Sequence, residues 1–267
     1  MYRGENMERI KSIISFLEEK APLKLQESYD NSGLILGNPE DEVSKVLVCL
    51  DADEDALDAA CKSNCQLIIS HHPAIFKAIK VFTDYTREGK FLVKAIKNNV
   101  SLYSIHTNFD SAVGGLTELL CKKLGLENIR ILKHILDEEN HGLGRFGTIS
   151  PMKGTEFIEY LKKVLNLPVV RIIGEIPEKV GEIAVFNGSY DRDILRELCS
   201  LKPDVLITGD LKYHDAQELI YNGIFTVDAG HYGTEKHFVE FMAGVLSERF
   251  PTLDIVRHEG RDVFSYL

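Results

Sequence analysis

Two hydrophobic patterns alternate along the chain. The first is a short, continuous apolar run such as residues 45–50, which is typical of a strand buried on both faces of a sheet. The second places apolar residues three or four positions apart, as in Ile10, Ile13 and Leu17, and predicts an amphipathic helix. Their alternation predicts an α/β fold with largely parallel or mixed sheets flanked by helices.

The same patterns predict the individual elements. Strands are expected at residues 45–50, 66–69, 100–105, 130–132, 144–149, 169–173, 182–186, 204–207 and 224–227. Helices are expected at residues 7–20, 54–63, 89–98, 116–124, 155–166, 191–199, 216–222 and 235–249. The tail, residues 254–258 and 262–266, is expected to form a closing hairpin.

The helical pattern weakens between residues 126 and 150, and this indicates a boundary between two lobes. We expect residues 1–126 to form a first α/β lobe that carries part of the functional site. Residues 127–225 are expected to form a second α/β lobe. The C-terminal segment, residues 226–267, is expected to return to the first lobe and complete the site.

Composition and charge narrow the range of partners. The 267 residues include 31 Lys and Arg against 41 Asp and Glu, a net charge of −10. Such an acidic chain releases few counterions from a phosphate backbone, so neither nucleic acid nor an anionic membrane is an expected partner. The chain has no run of 18 apolar residues, and residues 1–19 are too charged for a secretory signal, so we expect a cytoplasmic protein. Its five cysteines match no zinc-ribbon spacing.

Histidines and carboxylates follow the carboxyl ends of four predicted strands, and these ends hold five of the nine histidines. In open α/β sheets, ligands bind at that edge. The residues in question are His71 and His72, His106 and Asp110, His214 and Asp215, and His231 and Glu235. Their grouping predicts a metal cleft at the carboxyl ends of the strands.

The spacing of these residues refines the prediction. His231 and Glu235, like His106 and Asp110, are four apart and would face the same way on a helical turn. His71 and His72 point apart in an extended chain, so they share one metal only if the chain turns. Two metals explain the doublet better, and the ligand types suit Zn²⁺, Fe²⁺ or Mn²⁺. Such ions would lie about 3.5–4 Å apart, with Glu235 or Asp110 as the bridge.

Weaker patterns leave alternatives open. His214 and Asp215 fit either the wall of a cleft or the solvated start of a helix. The sequence Asn-Gly-Ser at 187–189 fits a phosphate cradle on backbone amides, but a plain turn is favoured. Asp30 and Asn31 are interpreted as turn formers.

Five segments also resemble the motifs of the NIF-three-like family, many of whose members are labelled GTP cyclohydrolase 1 type 2 homologues. They are Tyr-Asp-Asn-Ser-Gly-Leu at 29–34, Ser-His-His-Pro at 70–73, His-Thr-Asn-Phe-Asp at 106–110, Gly-Asp-Leu-Lys-Tyr-His-Asp at 209–215, and Asp-Ala-Gly-His-Tyr-Gly-Thr-Glu at 228–235. The resemblance covers nearly the whole chain, without the inserted domain that some members carry.

The resemblance implies two α/β lobes per subunit, a dinuclear metal site in their cleft, and a ring-shaped homohexamer. By motif position, His72 and Asp110 would bind one metal, His71 and His231 would bind the other, and Glu235 would bridge them. His106 matches a position close to the metals.

Two kinds of function remain open. The first is a metal-dependent hydrolase acting on a nucleotide, GTP among the candidates, or on another small phosphorylated or cyclic molecule, with His106 or His214 as proton shuttle. The alternative is a non-catalytic metal-binding, metal-supply or scaffold protein. Five protein ligands shared by two metals leave coordination positions open, and this favours the enzyme.

Overall fold

The computed structural model describes residues 7–135 and 138–266. Residues 1–6, 136–137 and 267, which belong to the expected domain ranges, lie outside the described residues. Within the described part of the chain, no helix is both long enough and apolar enough to cross a bilayer.

Strands and helices alternate as the hydrophobic pattern predicts. The strands are β1 (Glu8–Arg9), β2 (Gly33–Leu36), β3 (Glu42–Val43), β4 (Lys45–Asp51), β5 (Leu67–His72), β6 (Ser101–Ser104), β7 (Glu127–Ile135), β8 (Glu138–Lys153), β9 (Arg171–Ile173), β10 (Lys179–Ser189), β11 (Val205–Gly209), β12 (Thr226–Asp228) and β13 (Asp254–His258). The helices are α1 (Ile10–Lys20), α2 (Glu54–Lys62), α3 (Arg87–Lys97), α4 (Thr107–Ser111), α5 (Leu116–Lys123), α6 (Gly154–Leu165), α7 (Leu195–Leu201), α8 (Tyr213–Tyr221), α9 (His231–Glu235) and α10 (His237–Arg249). Short 3-10 helices occupy Leu23–Leu25 and Arg192–Ile194.

The chain divides into two compact units. The first unit reaches to Phe109 and resumes over His237–Gly260, and the second comprises Asp110–Lys236 with the segment from Arg261 onward. The three domain ranges expected from the sequence, 1–126, 127–225 and 226–267, stay a prediction.

The first unit is built on a five-stranded sheet in the order β13-β4-β5-β6-β2. Its first four strands are parallel, and β2 joins the edge antiparallel to β6. Helix α2 begins after Asp53, whose carboxylate accepts a hydrogen bond from the backbone N–H of Ala56 and caps the helix. Residues of α2 and α3, including Leu57 and Phe91, pack with Leu47 and Ile68 of the sheet into one buried cluster.

The second unit is built on a six-stranded mixed sheet in the order β7-β8-β10-β11-β12-β9. Strands β10, β11 and β12 are parallel, whereas the other neighbours pair antiparallel. Successive side chains of β10 point to opposite faces of the sheet and enter two different buried clusters. Ile183 and Val185 pack with α6, whereas Ala184 packs with α7 and α8. Helices therefore cover both faces of this sheet, and the predicted α/β class is confirmed.

Two local expectations are wrong. The tail is not a hairpin: β13 pairs parallel with β4, and residues 262–266 form no strand. Pairing with β4 gives β13 a ladder partner within the sheet, so it needs no hairpin partner. Residues 187–189 are not a turn but the end of β10, where the register with β11 shifts. The helix expected at 235–249 corresponds to α10, which begins two residues later, at His237.

Candidate metal-binding residues

The parallel strand β5 carries two adjacent histidines at its end. His71 is fully buried, and its Nδ1 lies 2.9 Å from the carbonyl oxygen of Ile105. His72 Nδ1 lies 2.8 Å from Oδ1 of Asp51, the residue opposite it at the end of β4. Because a carbonyl or carboxylate oxygen can only accept, Nδ1 carries the proton in each ring and Nε2 carries the lone pair that a metal requires.

His106, two residues beyond β6, is held in the same manner. Its Nδ1 lies 2.8 Å from Oδ1 of Asp30, whose side chain is fully buried. The other oxygen of Asp30 accepts hydrogen bonds from Thr107 and Ser32. Burial alone would raise the pKa of Asp30, but the hydrogen bonds from His106 and Thr107 outweigh it and hold this pKa well below its ordinary value. Asp30 is therefore a carboxylate that orients His106 as well as a residue of the turn.

Three histidines of the first unit, His71, His72 and His106, form one group. The ring centroids of His71 and His72 are 5.1 Å apart, and the His106 ring lies 5.1 Å from the first and 5.3 Å from the second. One ligand atom from each ring lies within 4.8 Å of those of the other two. The structure thus brings His71, His72 and His106 together, with a separation that suits a metal ion among them.

The second unit carries the other predicted ligands around the short helix α9. His231 and Glu235 lie one turn apart, with Nε2 of the histidine 3.0 Å from Oε2 of the carboxylate. His231 Nδ1 lies 2.8 Å from Oδ2 of Asp210, which directly follows β11. Glu235 is almost completely buried, at 2% exposure. The i, i+4 spacing therefore places both side chains on one face of the helix, as the sequence predicts.

Asp110, the remaining predicted ligand, is joined to Glu235 through Asn187. The Nδ2 atom of Asn187 lies 2.8 Å from Asp110 Oδ1 and 3.0 Å from Glu235 Oε1. The backbone also approaches Glu235 closely at Gly188, where φ is +67° and a Cβ atom would lie 2.3 Å from Oε1. Asp110 and Glu235 thus lie within hydrogen-bond reach of one nitrogen.

His214, the second predicted proton shuttle, lies elsewhere in the second unit. It is exposed near the start of α8, and its Nδ1 is 3.0 Å from Oε1 of Gln217. Among the described residues, it belongs to no group of side chains spaced to hold a metal. Its catalytic role stays a prediction.

Sequence reasoning missed four residues that orient these side chains: Asp30, Asp51, Asn187 and Asp210. Two of them had a usable signal, because Asp51 ends β4 and Asp210 directly follows β11. The strand-end rule that selected the histidines would have selected both carboxylates. Asp30 and Asn187 were noticed only as turn residues, because their partners lie about eighty residues away in the sequence.

The donor set fits divalent metal ions on chemical grounds. Each of the four histidines donates from Nδ1 to a carboxylate or carbonyl oxygen, which is the usual arrangement around metal-bound imidazole. Asp110 and Glu235 add carboxylate oxygens, which suit Zn²⁺, Fe²⁺ and Mn²⁺ as well.

Comparison with known proteins identifies the family of this chain. The family model described as Duf34/NIF3 (NGG1p interacting factor 3) matches residues 8–261. The chain belongs to the Duf34/NIF3 family. The resemblance inferred from the five sequence motifs is therefore confirmed.

Members of the Duf34/NIF3 family from other organisms align over most of their length. A Clostridium perfringens protein named GTP cyclohydrolase 1 type 2 homolog is 32% identical over 97% of this chain and 100% of its own. A protein of the same name from Clostridium acetobutylicum is 34% identical over 85% of each chain. The solved hypothetical protein SA1388 of Staphylococcus aureus superposes with a TM-score of 0.89 at 27% identity, over 97% of this chain and 99% of that one. These matches support the same mixed α/β fold across the full length.

Proposed function

We propose that this protein binds two divalent metal ions per chain and uses them to hydrolyse a small molecule. The proposed ligands are His71 and His72 in the first unit and Asp110, His231 and Glu235 in the second. The observation that carries the proposal is the shared orientation of the ligand histidines. In His71, His72 and His231, an oxygen acceptor faces Nδ1, so Nε2 is the nitrogen that would coordinate a metal.

Bound divalent metal supplies Lewis acidity and lowers the pKa of a coordinated water toward neutrality. The protein's own contribution to proton transfer is assigned to His106. Asp30 accepts a hydrogen bond from Nδ1–H of His106 and would stabilise the imidazolium when Nε2 takes up a proton. Asp30 lies in a buried, well-bonded position and stays charged at neutral pH, so it holds the ring in one orientation through the cycle.

A nucleotide is one candidate substrate. The curated relatives carry the name GTP cyclohydrolase 1 type 2 homolog, and this name supports testing GTP first. The net charge of −10 gives a nucleotide anion no long-range attraction, so binding would depend on the metal ions and nearby lysines. By the family resemblance we also propose a cytoplasmic homohexamer without a nucleic-acid or membrane partner.

The alternative is a metal-binding, metal-supply or scaffold protein without turnover. It uses the same ligands, so ligand geometry does not separate it from the hydrolase. A Glu235→Gln variant separates them, because the amide keeps the shape of the side chain and removes its charge. Loss of turnover with metal retained supports the hydrolase, whereas loss of metal in a protein that turns over no tested nucleotide supports the alternative.

The first test of the proposal is elemental analysis of the purified protein. We expect about two metal equivalents per chain, falling sharply in a His72→Ala, Asp110→Ala variant. The matched control is His134→Ala, Asp84→Ala, which removes the same two residue types from exposed positions and should keep its metal. Absence of metal from the wild-type protein, even after incubation with Zn²⁺, Mn²⁺ or Fe²⁺, would overturn the proposal.

A further inference from the structure

A single buried amide joins two of the proposed ligands in the second unit. Asn187 is 6% exposed, and its Nδ2 reaches both Asp110 Oδ1, at 2.8 Å, and Glu235 Oε1, at 3.0 Å. An amide nitrogen carries two protons, so both are used on the two carboxylates. Asp110 belongs to α4 and Glu235 to α9, so Asn187 connects residues 125 positions apart in the chain.

The orientation of this amide follows from its surroundings. Carboxylates only accept hydrogen bonds, so the nitrogen of Asn187, and not its oxygen, must face Asp110 and Glu235. On the opposite side, the amide oxygen accepts a hydrogen bond from the hydroxyl of Thr117, which is 1% exposed. Rotating the amide by half a turn would place three oxygens together and leave the buried hydroxyl facing an NH₂ group.

The backbone around Asn187 gives the side chain little freedom. The next residue, Gly188, donates its N–H to Thr234 Oγ1 over 2.9 Å, and Thr234 immediately precedes Glu235 in α9. A Cβ atom at Gly188 would collide with Glu235 Oε1, so only glycine allows β10 to lie this close to the carboxylate. The end of β10 is therefore fixed against α9 directly after Asn187.

We propose that Asn187 is a positioning residue that sets the separation and orientation of Asp110 and Glu235 for cation binding. This inference rests on the proposed metal-binding function. Each carboxylate oxygen has two lone pairs, so an oxygen that accepts a hydrogen bond from Asn187 can also bind a cation. The amide also offsets the repulsion between two carboxylates, and the metal-free site keeps its shape until a cation arrives.

The test compares two variants at buried positions of the second unit. Asn187→Leu removes both donors to the carboxylates, whereas Leu198→Ala truncates a fully buried side chain of α7 that belongs to a separate core cluster. Zn²⁺ affinity is measured by competition with a chelator. Urea unfolding gives the free energy of unfolding of the metal-free protein. The absorption spectrum of the Co²⁺-loaded protein reports the arrangement of ligands around the metal. We expect Asn187→Leu to lower Zn²⁺ affinity roughly 10- to 100-fold and to shift the Co²⁺ spectrum.

Leu198→Ala should be destabilised at least as much while it keeps an affinity within about threefold of wild type and an unchanged Co²⁺ spectrum. Equal loss of affinity in both variants, in proportion to lost stability, would show a merely structural role and overturn the inference. So would an Asn187→Leu protein that binds metal as the wild type does. Should Asn187→Leu fail to fold, Asn187→Ala is judged by the same two outcomes. Failure of the proposed function is distinct, because then the wild-type protein itself binds no metal.

Discussion

Asp51 and His72 face each other across two parallel strands, and their side chains are hydrogen-bonded. They are register partners at the ends of β4 and β5, and Asp51 Oδ1 lies 2.8 Å from His72 Nδ1. The pair joins residues 21 positions apart, so the strand register, and not sequence proximity, determines the orientation of the ring. A shift of one residue in that register would place the two side chains on opposite faces of the sheet and separate them.

Removal of the Asp51 carboxylate should weaken metal binding with little effect on folding. We expect Asp51→Ala to lower Zn²⁺ affinity roughly 10- to 100-fold, because His72 loses the acceptor that fixes its Nδ1 proton. Asp51 is exposed, so the free energy of unfolding should change by less than about 0.5 kcal/mol. Chelator competition and urea unfolding measure the two quantities. Asp51→Asn keeps an oxygen acceptor, so its Zn²⁺ affinity should lie between those of the wild type and Asp51→Ala. Wild-type affinity in Asp51→Ala would contradict the prediction.

Position 188 should require glycine for two reasons: its backbone conformation, and the closeness of the Glu235 side chain. Its φ of +67° disfavours any L residue, and a Cβ atom would lie 2.3 Å from Glu235 Oε1. We expect Gly188→Ala to lower the free energy of unfolding by more than the roughly 1–2 kcal/mol of a left-handed alanine. It should also displace Glu235 and reduce the metal content measured by elemental analysis.

Gly223→Ala is the matched control for this change. Gly223 has a similar φ of +69°, but no atom lies within 4 Å of the position of a Cβ atom. Gly223→Ala should lower the free energy of unfolding only by the cost of placing alanine in a left-handed backbone conformation, and the protein should keep its metal. If the two alanine variants were equally stable and equally loaded with metal, close approach of the backbone to Glu235 would have no consequence.

Much of the architecture could be predicted because it depends on local periodicity. Apolar runs and amphipathic stretches determined the alternation of strands and helices, and polar residues after the strands indicated which edge of each sheet carries the chemistry. His71 and His72 were found in this way, since both lie at the end of β5. The i, i+4 spacing of His231 and Glu235 was enough to place them on one helical face.

The rest depends on pairing between distant segments, which one sequence does not reveal. The tail was predicted as a hairpin because two short apolar segments follow each other, but β13 pairs with β4 some two hundred residues away. Asn187 was interpreted as part of a turn because Asn and Gly favour turns. Only the approach of β10 to α9 shows that its amide holds two carboxylates.

The stability contributed by Asp30 should depend on pH in a defined direction. Its pKa is lowered from the ordinary 3.8, since hydrogen bonds from His106 and Thr107 outweigh the effect of burial. The charged form is therefore bound more strongly in the folded state. The contribution is fully present above about pH 4 and is lost as the pH falls through the lowered pKa of the folded protein.

Comparison with Asp30→Asn isolates this contribution. Near pH 5 the metal-free wild type should be more stable than the variant, and the difference should shrink as the pH falls below about 4. Urea unfolding at a series of pH values measures the difference. A gap that widens toward low pH would show that burial, and not hydrogen bonding, dominates at Asp30.

Arg145 should be the most sensitive charged residue of the second unit. It is 2% exposed, and its guanidinium donates to the carbonyl oxygens of Gly142, Gly144, Ser111 and Ala112. Its Nε also lies 3.9 Å from Oε2 of Glu118. We expect Arg145→Met to lower the free energy of unfolding by about 3–5 kcal/mol, because the carbonyls and Glu118 lose a shared cationic partner. Arg145→Lys keeps the charge but lacks the planar guanidinium with its several N–H donors. The free energy of unfolding of this variant should therefore fall by a smaller but measurable amount.

The same substitutions should weaken metal binding indirectly. Ser111 and Ala112 directly follow Asp110, so the hydrogen bonds from Arg145 hold the backbone from which this proposed ligand projects. We expect the Zn²⁺ affinity of folded Arg145→Lys to fall, whereas Arg196→Met, an exposed control in the same unit, should change neither affinity nor stability by more than about 0.5 kcal/mol. Unchanged affinity in Arg145→Lys alongside clear destabilisation would restrict Arg145 to folding and leave the orientation of Asp110 to Asn187 alone.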